Sequence, residues 1–129
     1  MYSSKLANLP NMERCFLLIL ITATGVLSDS IQPKDKETTI YRTEEERVTM
    51  SCTYDTSSNY VYLYWYRQYP NREPEYILYK GARSRSSFEN IPDSRFQSAT
   101  SQTSTELTIN SVTLSDSALY YCALRVEAQ

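Results

Sequence analysis

Three residues, Cys52, Trp65 and Cys122, constrain this chain more than any others. Two cysteines on opposed antiparallel sheets can be bridged, and a tryptophan thirteen residues after the first can lie against the sulfurs. The second cysteine closes the run Asp116-Ser117-Ala118-Leu119-Tyr120-Tyr121-Cys122. That run sets Tyr120 two residues ahead of Cys122, where a phenol can tie the corner between two strands to nearby backbone. Helical periodicity is absent, glycine is scarce, and short alternating stretches recur between clusters of Ser, Thr, Asn, Asp and Pro. Such a pattern reads as an all-β sandwich.

The front of the chain has to be set aside first. Arg14 precedes the apolar run Cys15-Phe16-Leu17-Leu18-Ile19-Leu20-Ile21, and smaller residues follow it up to Val26-Leu27-Ser28. The run is far shorter than the roughly 20 residues that cross a bilayer. It reads as a secretory signal peptide over residues 1–28, cleaved after Ser28, with residues 29–129 as the mature domain. Removal takes away Lys5, Arg14, Glu13 and Cys15, leaving 11 basic against 14 acidic side chains. A mild acidic balance of that kind argues against nucleic acid as a partner. Two cysteines remain in a secreted chain, so a disulfide is the default expectation, and closing a loop of about 70 residues stabilises a fold by roughly 4 kcal/mol.

No histidine occurs in the sequence, which removes histidine-based triads and the commonest metal ligand. Hydroxyls are plentiful, but no base is positioned to activate one and no glycine-rich phosphate cradle appears. The expectation is a protein with no catalytic residues, no metal and no cofactor. None of Asn59, Asn71, Asn90 and Asn110 has a hydroxyl residue two places on, so no N-glycan is expected.

Along the chain, residues 29–41 form an edge strand interrupted by Pro33, because proline cannot donate to a central ladder. Residues 47–54 alternate cleanly, with Val48, Met50, Cys52 and Tyr54 inward. Residues 63–69 carry Trp65 inward, which turns Tyr64, Tyr66 and Gln68 outward. A turn at 70–74 leads to a strand over 75–79. Residues 95–100 and 105–109 make a hairpin with Phe96, Leu107 and Ile109 as core candidates. Residues 111–117 form the corner, and 118–125 the last strand, with Tyr120 and Cys122 inward and Tyr121 outward.

With the Cys-Trp-Cys frame, the corner tyrosine, the run Trp65-Tyr66-Arg67-Gln68 and the opening Cys122-Ala123-Leu124, the sequence resembles an immunoglobulin variable domain. It is most similar to the variable region of a T-cell receptor alpha chain, with a delta chain as the near alternative. The resemblance implies a V-type antiparallel sandwich with one inter-sheet disulfide, Cys52 to Cys122. It also implies a buried ion pair between Arg95 and Asp116 beneath the sandwich. A complete domain of the family continues through a Phe-Gly-X-Gly stretch. The expectation here is a truncated domain, its final strand missing and the edge of the preceding strand unpaired.

Tyr66, Gln68, Pro74, Tyr76 and Tyr121 turn onto one outer sheet face, and contiguous aromatic surface of that kind marks an interface. The resemblance implies pairing with the variable domain of a beta chain, Gln68 making reciprocal amide hydrogen bonds. Three loops gather at one end of such a sandwich. The first, residues 56–62, contains Thr56, Ser57, Ser58, Asn59, Tyr60 and Tyr62, the composition of paratopes. The second, residues 80–85, carries Lys80, Arg83 and Arg85 around Gly81 and suits an acidic helix surface. The third begins with Ala123, Leu124 and Arg125.

The implied function is recognition of peptide displayed on a major histocompatibility molecule, jointly with a beta chain. The CD3 signalling subunits would be engaged only through regions outside this sequence, at the extracellular face of the plasma membrane. The alternatives are a delta chain variable region and a partner-independent Ig-type adhesion or inhibitory ectodomain, whose outer face would stay in water.

Overall fold

The computed structural model describes residues 2–8, 29–35, 39–40 and 42–127. The core of the expected signal peptide, residues 9–28, lies outside the described residues. Among the described residues, ten strands build two sheets: β1 (Tyr2–Asn8), β2 (Ser30–Pro33), β3 (Thr39–Ile40), β4 (Val48–Asp55), β5 (Tyr60–Gln68), β6 (Glu75–Arg83), β7 (Glu89–Asn90), β8 (Phe96–Thr100), β9 (Ser104–Ile109) and β10 (Ala118–Val126). One sheet runs β3-β1-β10-β5-β6-β7 and the other β2-β4-β9-β8. All pairs are antiparallel except β1 with β3. The chain is an all-β immunoglobulin-like sandwich.

Alternation puts Val48, Met50, Cys52 and Tyr54 of β4 inward, and all four are buried. They meet Leu63, Trp65, Leu78, Tyr120 and Leu124 from the facing sheet, which share one core with them. Cys52 and Cys122 are bonded across the two sheets. A second link runs alongside. Trp65 stands opposite Cys122 on β5, Thr105 stands opposite Cys52 on β9, and the Trp65 indole Nε1 donates to Thr105 Oγ1 at 3.2 Å. Both side chains are fully buried, so the hydroxyl satisfies an indole N–H that has no water to turn to.

A 3-10 turn, Leu114–Asp116, forms the corner before β10. Asp116 is 1% exposed and meets Arg95 in a two-pronged pair, Nη1 to Oδ2 at 3.0 Å and Nη2 to Oδ1 at 2.9 Å. Its Oδ2 also accepts the Thr113 N–H at 2.9 Å, and its carbonyl accepts the Tyr120 hydroxyl at 2.6 Å. Burial pushes the carboxyl up, but the Arg95 hydrogen bonds and the Thr113 N–H outweigh it and hold the group below its ordinary value. Burial likewise pushes the Tyr120 phenol far up, keeping it a neutral donor.

Two features depart from the sequence reading. Segment 29–41 does not stay in one sheet: Ser30–Pro33 pairs with β4, whereas Thr39–Ile40 pairs with β1 in the other sheet. The strand read as 75–79 runs on to Arg83 because residues 79–83 find partners on β5. In the full chain the β10 edge is lined by β1, from Tyr2 opposite Leu124 to Asn8 opposite Ala118, a segment inside the expected signal peptide. Backbone N–H and C=O groups along an edge are unsatisfied without a neighbour, and an extended segment of the same chain supplies one.

Two stability measurements check the corner and the cross-sheet link. Asp116→Asn should lower unfolding free energy by about 2–3 kcal/mol at neutral pH, tempered because Arg95 keeps one side in water. The wild-type contribution is fully present above the ordinary carboxyl value of 3.8 and is lost as pH falls through the lower native value, so the wild-type and Asp116→Asn stabilities should converge there. Thr105→Val, which leaves the Trp65 N–H without a partner, should cost about 1–3 kcal/mol in denaturant unfolding.

Candidate functional site

Alternation on β5 sends Trp65 into the core and Tyr62, Tyr64 and Tyr66 to the opposite face of the sheet. Strict alternation on β6 would place Tyr76 and Tyr79 on opposite faces, since they are three residues apart. A bulge resolves this. Trp65 pairs with Leu78 and Tyr66 pairs with Tyr76, so Ile77 has no residue opposite it. Ile77 and Leu78 both sink into the core, and Tyr76 and Tyr79 both emerge beside the tyrosines of β5.

The result is a continuous aromatic layer on the outer face of the larger sheet. Tyr64 stacks on Tyr79 at 5.3 Å and on Tyr66 at 6.2 Å between ring centroids, and Tyr76 meets Tyr66 edge-on at 6.1 Å. Tyr62 extends the layer toward the loops, edge-on to Tyr79 and stacked with Phe88. Tyr76 and Phe88 remain 42% and 45% exposed, more open than is usual for large apolar rings. Burial pushes the Tyr66 and Tyr76 phenols up, so both remain neutral hydrogen-bonding groups.

The five residues read from sequence as one face fall as follows. Tyr66, Gln68, Tyr76 and Tyr121 lie on that outer face, and Pro74 sits exposed just ahead of β6. Tyr121 pairs with Tyr66 across β10 and β5, and its hydroxyl donates to Gln68 Oε1. Gln68 Nε2 donates to the Arg72 carbonyl at 2.8 Å. Both ends of the amide are therefore engaged within the chain. Tyr64, Tyr79 and Phe88 belong to the same layer but were not among the sequence candidates. Tyr64 was signalled by its parity with Tyr66; Tyr79 needed the bulge to be known.

At the loop end, the boundaries shift inward. Thr56, Ser57, Ser58 and Asn59 form the first loop, but Tyr60 and Tyr62 belong to β5, and Tyr62 is buried beneath its aromatic neighbours. Ala123, Leu124 and Arg125 are residues of β10 rather than loop. Ala123 and Leu124 are buried opposite Tyr64 and Leu63, because the ladder with β5 continues to Val126. Lys80 and Arg83 lie in β6, while Arg85 is in the connection to β7.

The basic side chains have partners of their own. Lys80 reaches Glu89 at 3.5 Å, and Arg85 reaches Glu127 at 3.2 Å while lying over the Tyr60 ring at 4.6 Å. The Tyr62 hydroxyl, and then Arg85, hold the Glu127 carboxyl below its ordinary range. Arg125 lies over the Tyr62 ring at 5.2 Å. Arg83 donates four hydrogen bonds to backbone carbonyls. No group of three or more His, Cys, Asp or Glu able to hold a metal occurs among the described residues.

Residues 35–129 match the model of the immunoglobulin V-set domain. The chain belongs to that family. Among human relatives, it is 36% identical to T cell receptor alpha variable 14/delta variable 4 over 88% of this chain and 99% of the relative. It is 40% identical to T cell receptor alpha variable 18 over 84% of this chain and 93% of the relative, and 37% identical to T cell receptor alpha variable 3 over 84% and 92%. The V-set chain is thus a T cell receptor alpha/delta type variable region. No helix among the described residues is long and apolar enough to cross a membrane.

Gly81 fixes how the second loop folds back in this variable region. Its N–H donates to the Phe88 carbonyl at 2.8 Å, and a Cβ added there would lie 1.9 Å from the Arg85 carbonyl oxygen. Only a residue without a side chain lets the backbone approach so closely. Gly81→Ala should therefore displace residues 84–88 and lower the melting temperature by several degrees, and the Arg85–Glu127 ion pair should be lost in its structure.

Proposed function

We propose that this chain is the antigen-recognition variable domain of a T-cell receptor alpha chain, paired through its aromatic outer face with the variable domain of a beta chain. The observation that carries the reading is the layer of Tyr64, Tyr66, Tyr76 and Tyr79 beside Gln68 and Tyr121, half-buried except for the exposed Tyr76, on the outer face of a sheet whose opposite face is the core. Tyrosines supply large rigid contact area at little entropic cost, and their phenols accept or donate hydrogen bonds at a partly wet interface. Gln68 would exchange its bond to Arg72 for one to the partner, a change that costs little because the Arg72 carbonyl is at the surface.

The ligand surface on this reading is built by residues 56–59, by residues 84–88 with Arg85, and by the segment that follows Val126. Its ligand is a peptide displayed on a major histocompatibility molecule. The domain binds and performs no chemistry. Residues 1–28 act as the secretory signal, and their removal frees the β10 edge that Tyr2–Asn8 occupies in the full chain. A delta chain is the second reading, favoured by the relative whose name carries both alpha and delta designations.

Sedimentation of the chain with a beta-chain variable domain at micromolar concentration tests the pairing. A heterodimer is expected, and Gln68→Glu with Tyr121→Asp should weaken it by at least roughly 30-fold, the loss of about 2 kcal/mol typical of central interface residues. The isolated variant should stay folded, with a melting temperature lowered by only a few degrees for the lost Tyr121–Gln68 and Gln68–Arg72 bonds. Absence of a heterodimer, or one indifferent to the two substitutions, contradicts the reading and favours a partner-independent ectodomain.

A further inference from the structure

Arg83 has a backbone φ of 57°, in the left-handed region that side-chain-bearing residues seldom occupy. Such a conformation persists where the surroundings over-determine it. Here the surroundings are three carbonyls on two separate pieces of backbone, the first loop and the turn between β8 and β9. Nη1 donates to the carbonyls of Thr56 at 2.7 Å and Ser58 at 2.6 Å, while Nη2 and Nε donate to the Gln102 carbonyl at 2.6 and 3.1 Å. The guanidinium lies 5.2 Å over the Tyr54 ring, whose hydroxyl donates to the Ser101 carbonyl at 2.6 Å. The next residue, Ser84, donates its N–H to the Asn59 carbonyl at 3.0 Å.

The first loop is shaped to receive this side chain. Ser58 N–H donates to Thr56 Oγ1 and Tyr60 N–H to Ser58 Oγ, two hydroxyl turns in succession that hold the loop compact and leave the carbonyls of Thr56 and Ser58 for Arg83. The turn between β8 and β9 is built in the same way, with Ser101 Oγ accepting from the N–H groups of Thr103 and Ser104. Neither loop packs a large apolar side chain of its own. What joins them is one planar fork with donors on two sides, a geometry that a lysine cannot copy.

We propose that Arg83 is a positioning residue of the recognition end, locking the first loop and the 101–104 turn into one rigid unit instead of contacting ligand itself. This deepens the recognition reading above and rests on it. A loop held in its binding shape in advance loses less freedom when it is covered, so the clamp favours affinity without touching the ligand. It also couples two loops that are far apart in sequence, because tension on either is carried to the other through the same guanidinium.

Amide and guanidinium hydrogen exchange in the full chain, read by NMR without ligand, tests the proposal in wild type, Arg83→Lys and Arg83→Asn. Asparagine tolerates the left-handed backbone and so separates the role of the fork from that of the chain. In wild type the Arg83 Nε–H should exchange far more slowly than an exposed arginine. In both variants the amides of Ser58, Tyr60, Thr103 and Ser104 should exchange at least tenfold faster, while those of β4 and central β10 keep their rates. A wild-type Nε–H exchanging freely overturns the proposal, as does loosening of one loop only, of neither, or of the whole domain. Because ligand and beta chain are absent from the measurement, its failure leaves the recognition reading standing, and failure of that reading leaves the rates unchanged.

Discussion

The bond between Cys52 and Cys122 fixes where β4 of one sheet stands against β10 of the other, and most of the functional geometry is referred to that spacing. Joining residues 70 positions apart removes much of the freedom of the unfolded chain, worth about 4 kcal/mol in the chain-entropy account. Its direct effect on the native state is local. Trp65 fills the space beside it, and the indole reaches Thr105 on the far sheet, so the covalent link and a buried hydrogen bond lie side by side. With the inner face of β5 held in this way, the outer face has no freedom to rotate, and its tyrosines are presented at fixed positions.

The two ends of the sandwich are organised by different chemistry. At the corner, Asp116 gathers Arg95, Thr113 and, through its carbonyl, Tyr120, a network that satisfies both the buried carboxylate and the buried phenol. At the loop end, the work falls to arginines directed at backbone carbonyls and ring faces, with Arg83 over Tyr54 and Arg85 over Tyr60. The carbonyl acceptors place no demand on the side chains of the residues that carry them, whereas the ring faces need an aromatic residue at positions 54 and 60 and the hydroxyl turns need Thr56, Ser58 and Ser101. Variation that leaves the recognition end in shape is thus confined to loop positions such as Ser57 and Asn59, whose side chains make none of these contacts.

Much of the sandwich was legible in the residues, because alternation over Val48–Asp55 and the Cys-Trp-Cys frame both follow from packing two sheets face to face. The outer aromatic face was legible in part. Tyr66 and Tyr121 follow from parity with Trp65 and Cys122, but Tyr79 joins Tyr76 only through the bulge at Ile77, and nothing local in that stretch announces it. The basic residues of the second loop were harder still. Lys80, Arg83 and Arg85 read as a cationic tip, whereas their partners Glu89, Gln102 and Glu127 become neighbours only once the strands are laid together. The strand formed by Tyr2–Asn8 was hidden for a related reason: its partner edge exists only after β10 has joined the sheet.

The sandwich is held by a single pairing of sulfurs, Cys52 with Cys122, and peptide mapping without reduction, after free thiols are alkylated, tests that pairing most directly. One linked pair of peptides containing Cys52 and Cys122 is expected, with an unfolding midpoint that drops sharply when that bond is reduced. Alkylation of both cysteines in the folded protein, or a linkage of either one to Cys15, would contradict it.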